Sequence, residues 1–197
     1  MANTDAPFGL KPLKMISGAP YNGSANEYSI AAGYGTNLFV GDPVVKTGTS
    51  SSAGIATIEK ATAGDGNAIT GVIVGFVGPP NRANLDQQYS VLSTAATALV
   101  CDDPNVIFII QDDGGGTPAI TSVGLNAVLI YTHTGSTVFG TSQAELDFGS
   151  SVAPSADASN QLTILRLHQQ AGNTIGDNAI WEVKINNHTE GYGAIGI

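Results

Sequence analysis

From Glu27 onward, short apolar runs alternate with clusters of Gly, Asn, Asp, Ser and Pro, and no stretch sustains the 3.6-residue apolar period of an amphipathic helix. That rhythm admits short strands joined by tight turns and little else. Strands are expected at Tyr28 to Ala31, Leu38 to Lys46, Ala56 to Lys60, Ile69 to Val77, Gln88 to Leu92 and Ala98 to Cys101. Five more are expected at Val106 to Gln111, Ala127 to Thr132, Ala144 to Phe148, Leu162 to His168 and Ala179 to Asn186. About eleven short strands without a helix predict an all-β fold, a small barrel or sandwich. The 25 glycines and a charged fraction of 12 %, half the roughly 25 % of ordinary soluble domains, belong to such a turn-rich chain.

Two of these strands, Ile69 to Val77 and Val106 to Ile110, are nearly continuous apolar runs, which suits strands covered on both faces. The segment Trp181 to Asn186 alternates instead, so one of its faces is expected to be wet. Residues 1 to 24 differ from the rest. Pro7, Pro12 and Pro20 forbid a long helix there, and Phe8, Leu10, Leu13, Met15 and Ile16 are too apolar for a free tail. An extended N-terminal arm over 1–24 is predicted, lying on its own domain or on a neighbour, followed by a β domain over 25–197 divisible into lobes at about 25–82 and 83–197.

The net charge is −9. Between Arg82 and Arg166 there is no Lys or Arg, while Asp86, Asp102, Asp103, Asp112, Asp113, Glu145, Asp147 and Asp157 fall in that stretch. Nucleic-acid binding needs a basic patch, so no nucleic-acid partner is expected. The start of the chain has no basic and apolar leader, and no run of about 18 apolar residues is available to span a membrane. The single cysteine, Cys101, follows Ala98-Leu99-Val100 and is read as a buried small hydrophobe.

Candidate chemistry is sparse. His133, His168 and His188 stand far apart, without acidic or Cys neighbours at metal-ligand spacing. No nucleophile elbow, phosphate loop or dinucleotide fingerprint occurs, and no cofactor is called for. Asp112-Asp113-Gly114-Gly115-Gly116 is the most site-like stretch, and Asp112 and Asp113 are the only metal candidates. It lacks the alternating acidic pattern of a calcium loop, and a solvated hairpin turn is the simpler reading. Asp102-Asp103 is expected to cap the turn at Pro104. Phe8, Tyr21, Tyr28, Tyr34 and Phe39 gather in the first 40 positions, as packing of the arm onto the first strands or, alternatively, as a sugar-stacking platform. The chain from Gly191 to Ile197 is apolar and rich in small residues, so it should pair within the domain or add to a neighbour.

Several segments together resemble a family of virion structural proteins of tailed bacteriophages: Met1 to Pro12, Gly41-Asp42-Pro43-Val44, Asp102 to Phe108, and Trp181 to His188. The stretch Gly41 to Val77 also looks like the small β-barrels of head-decoration proteins. The resemblance implies a non-enzymatic cement protein on the capsid exterior, assembled in the host cytoplasm, often a homotrimer, which bridges subunits of a major capsid protein. On that expectation the interface residues are Pro7, Phe8, Leu10, Lys11, Pro12, Leu13 and Lys14 of the arm, with Tyr192, Ile195 and Ile197 at the C-terminus. A truncation removing residues 1 to 16 should then stay folded but fail to attach. Two other functions fit the residues: a tail, fibre or carbohydrate-binding module using Tyr21 or Tyr34, and a hydrolase using Asp112 or Asp113.

Overall fold

The structure, a computed structural model, describes residues 3–77, 88–116, 118–149 and 153–191. Among them are twelve strands: β1 (Lys11–Met15), β2 (Asn26–Ile30), β3 (Pro43–Ser50), β4 (Ala56–Lys60), β5 (Gly71–Val77), β6 (Ala96–Cys101), β7 (Val106–Gln111), β8 (Asn126–Ala127), β9 (Leu129–Ile130), β10 (Glu145–Leu146), β11 (Leu162–Leu167) and β12 (Ile180–Ile185). The one helical piece described is a single 3₁₀ turn, Ile120–Ser122. The fold is all-β.

Strands β2, β4, β3, β5 and β6 close into a barrel in that order. A ring of five strands cannot alternate direction all the way round, so one neighbouring pair must run parallel. That pair is β2 and β4, joined at Ser29 and Thr57, while every other pair in the ring is antiparallel. Tyr28, Ile30, Leu38, Val44, Ile58, Ile73, Ala98 and Val100 form one apolar cluster among these strands. The second unit is an antiparallel sheet in the order β1-β7-β12-β11-β8. Phe108 and Ile110 of β7, Trp181 and Val183 of β12 and Leu162 and Ile164 of β11 point to the same side of it. There they pack with Ala61, Ile69, Val72 and Cys101 of the barrel unit and with Leu129, Leu146 and Phe148 around the β9-β10 pair. The two units share this core.

Four expectations change. Gln88 to Leu92 forms no strand: only Ser90 pairs, in an isolated bridge to Leu38. The division between units falls between Cys101 and Val106, not near 82, because β6 is needed to close the barrel. The N-terminal arm is not separate from the fold either, since β1 is the edge strand of a sheet otherwise built from residues after Cys101. Expected strand 127–132 is broken at Val128, where the chain leaves the larger sheet to pair β9 with β10.

The N-terminal segment reaches its place by crossing the barrel at Gly41. The Leu10 N–H donates to Gly41 O at 3.0 Å, and the Gly41 N–H donates to Ile73 O at 2.8 Å. Gly9 and Gly41 both have positive φ, +73° and +94°, and a Cβ on Gly41 would stand 2.7 Å from Phe8 O. Only glycine allows both the dihedrals and the close approach. The next residue locks the crossing. Buried Asp42 accepts from Lys60 Nζ at 3.0 Å, Ser142 Oγ at 2.6 Å and the Phe39 N–H at 2.9 Å. Thus the Gly-Asp-Pro-Val step ties the barrel, the arm and the 136–142 turn together.

A candidate interaction face on the five-stranded sheet

Side chains opposite one another in a sheet share a face. On the side of the five-stranded sheet away from the core, registry sets two rows across the strands: Lys11, Ile109, Glu182 and Arg166, then Lys14, Ile107, Lys184 and Thr163. Four of the chain's seven basic residues therefore stand on one surface of a protein whose net charge is −9. Two bulges put them there. The register shifts between Pro12 and Lys14 in β1 and between Ile164 and Arg166 in β11, so Leu13 and Leu165 are each passed over. Without the extra residue, Lys14 and Arg166 would face the core side, where a bulge re-aims them outward.

Glu182 is the hub of this face. It is only 3 % exposed, with Arg166 Nε at 2.8 Å, His168 Nδ1 at 3.2 Å and Lys14 Nζ at 3.4 Å. Burial alone would raise its pKa, but the hydrogen bonds from Arg166 and His168 and the charges of Arg166 and Lys14 outweigh it and hold the carboxyl below the usual range. The wet face expected for Trp181 to Asn186 is thus half right: Lys184 is partly exposed, while Glu182 is covered by its own cations. Lys11 and Lys184 have no acidic partner among the described residues.

The face runs into an open apolar groove of about 630 Å³, where Phe8, Lys11, Pro12, Ile109 and Ile180 meet Val40, Ile73 and Val74 of the barrel unit. Thr141 is on its rim. The turn from Ser136 to Thr141, bridged to Val40, holds two strongly exposed large apolar side chains, Val138 at 79 % and Phe139 at 72 %.

The expected interface residues divide accordingly. Lys11, Lys14, Phe8 and Pro12 belong to the face and its groove, and Pro7 and Leu13 are half-buried beside them. Leu10 is 1 % exposed and sits in the shared core, so it serves the fold and is not open to a neighbour. Tyr192, Ile195 and Ile197 lie outside the described residues. Sequence reasoning missed Arg166, Lys184 and Glu182. The alternation of Trp181 to Asn186 was a signal for the last two, but no sequence pattern marks a bulge.

The two metal candidates are corrected by their surroundings. Asp112 is fully buried and accepts from the Asn178 N–H at 2.7 Å, Trp181 Nε1 at 2.8 Å, the Ala179 N–H at 3.0 Å and the Gly114 N–H at 3.1 Å. Asp113 Oδ1 accepts from the N–H groups of Phe148 and Gly115. Carboxylates faced by donors anchor a loop and leave a cation no place. Among the described residues no group of three His, Cys, Asp or Glu side chains converges as a metal set, and no helix is long and apolar enough to cross a membrane. Cys101 is buried, and burial pushes its thiol up to about 11, which makes it an unreactive core group. The aromatic cluster mostly packs: Tyr28 and Phe39 are buried, and Tyr34 Oη accepts from the Lys60 N–H.

No protein-family model matches the chain, and no curated protein or solved structure matches it at a significant level.

Proposed function

We propose that this protein is a non-enzymatic structural subunit of a bacteriophage virion, a cement protein that docks on the outer surface of the head through the outer face of its five-stranded sheet and bridges major capsid subunits. The carrying observation is the gathering of Lys11, Lys14, Arg166 and Lys184 beside an apolar groove on a chain otherwise dominated by acidic side chains. A mixed surface of this kind suits a protein partner with acidic side chains around an apolar ridge. It suits nucleic acid poorly. Two of the four cations are already paired to Glu182, and a phosphate-tracking surface commonly places about six to ten contacts. The family resemblance points the same way and adds the expectation of a homotrimer.

The test is co-sedimentation of the purified chain with capsids stripped of it. The double variant Lys11→Glu/Lys184→Glu removes the two unpaired cations without touching the core. It should melt like the parent protein and lose attachment by tenfold or more, an effect of about 1.4 kcal/mol or greater. Raising salt should weaken the parent in the same sense. Undiminished attachment of the double variant would sink the proposed face, and failure of the parent to bind any capsid would sink the function.

A further inference from the structure

At the Met15 end of β1, the turn after β1 and the turn between β6 and β7 enclose an open cavity of about 550 Å³, within the size range of small-molecule sites, about 300–1,000 Å³. Its apolar side is made by Met15, Pro20 and Val106 together with the half-buried ring of Tyr21, which packs against the shared core. Its polar side is made by Asn22, Ser24, Asn26, Asp102 and Asp103.

The polar groups are held in place yet not used up. Asn22 Oδ1 accepts from the Ser24 N–H at 3.0 Å and Ser24 Oγ at 2.6 Å, which fixes the amide while its Nδ2 donates to nothing among the described residues. Asn26 Nδ2 donates to both oxygens of Asp102 at 3.0 Å, and Tyr28 Oη donates to the same carboxylate at 2.7 Å. That leaves Asn26 Oδ1 as an open acceptor among the described residues. Asp103 spends Oδ1 on the backbone and side-chain amides of Asn105 and keeps Oδ2 open among the described residues. The cavity thus offers a positioned donor, two positioned acceptors and an aromatic wall. The two carboxylates repel anions.

We propose that this cavity binds a neutral saccharide, whose hydroxyls would donate to Asp103 Oδ2 and Asn26 Oδ1 and accept from Asn22 Nδ2 while an apolar sugar face lies on Tyr21. Pre-placed polar groups opposite an apolar wall match a ligand that is polar at its edge and apolar on its face. The charge-assisted bond to Asp103 should be the strongest single contact. Tyr34 has no part in it, since it lies outside the cavity and packs on the barrel cluster. Tyr21 also lines the groove beside the docking face, but Asn22 and Asp103 line this cavity and not the groove, so the proposal is tested separately through them.

The experiment uses the full chain on a printed panel of neutral oligosaccharides, with sialylated and sulfated ones beside them, in calcium and again in EDTA. Hits are followed by titration calorimetry. Binding confined to neutral sugars, kept in EDTA, unchanged in Tyr34→Phe and weakened about tenfold in both Asn22→Ala and Asp103→Ala is the expected result, with thermal melts showing that both variants are folded. Asn22 is an exposed turn residue, so its variant keeps the test decisive if Asp103→Ala melts early. A silent panel, preference for anionic sugars, loss in EDTA, or binding indifferent to Asn22→Ala would each overturn the proposal.

Discussion

At the scale of single residues, the side chains that look chemically active do structural work. Asp112 gathers four N–H donors, one of them the indole of Trp181, which itself stacks on Phe148 with ring centroids 5.4 Å apart. Replacing Asp112 by Ala strands those buried donors. The expected loss is about 3–5 kcal/mol in urea unfolding, and calcium should leave the melting temperature of the parent unchanged. Gly41→Ala meets a positive φ that alone costs about 1–3 kcal/mol, and the 2.7 Å approach to Phe8 O adds to it. Its signature should be local as well as global: hydrogen exchange at the Leu10 amide, bonded to Gly41 O, should speed up more than exchange in β11.

At the scale of elements, β1 decides how the N-terminus can be used. It pairs with β7 from Lys11 to Met15, and Leu10 just before it is buried in the core. Burying a leucine contributes roughly 1.5–3 kcal/mol, and the strand's ladder bonds add to that. Removing residues 1 to 16 therefore cannot leave the domain intact, contrary to the expectation from sequence. The truncated chain should lose several kcal/mol and show broadened melting and exposed apolar surface by dye binding. If it instead melted with the parent's midpoint, the pairing of β1 with β7 would be wrong. As an edge strand β1 also carries Pro12, Lys11 and Lys14, residue types that discourage a second chain from pairing alongside. Attachment through side chains of the sheet face fits that edge better than strand addition does.

At the scale of the whole molecule, acid should loosen the link that ties the C-terminal stretch to the barrel unit. The Asn187–Gly191 segment follows β12 back to Ile69 and Thr70: the Ile69 N–H donates to Asn187 O, the Thr189 N–H donates to Ile69 O, and Lys46 pairs with Glu190. Buried His188 lies within it and accepts the Glu190 N–H on Nδ1 at 2.9 Å, so its proton rests on Nε2. Burial lowers its pKa from 6.5, although Glu190, Asp102 and Asp103 pull the other way. The unfolded chain then binds the proton first, so stability falls as pH drops below about 6.5 and continues to fall until the lowered folded value is passed. Melting midpoints between about pH 7.5 and 5 should show this slope, and His188→Gln should flatten it. Glu182 acts at lower pH and in the same direction. Its depressed pKa means that its stabilising ion pairs persist above the ordinary carboxylate range and fail only as pH falls through the lowered value. Because Arg166 is half exposed, that contribution is modest.

Apolar runs cut by turn residues were enough to determine an all-β chain and to locate most strands, because strand formation depends on local alternation and on residues that supply turn dihedrals. Val106 to Gln111 and Ala56 to Lys60 were legible to the residue. The sequence also marked Lys11, Lys14, Phe8 and Pro12 as exceptional, since an apolar segment spaced by prolines needs a surface. What it could not contain was which surface. That β1 joins a sheet made after Cys101, that an odd barrel closes through one parallel pair, and that two bulges turn Lys14 and Arg166 toward Glu182 all depend on contacts between residues far apart in the chain. Only tertiary packing decides these, because local propensity is indifferent to which distant partner a strand finds.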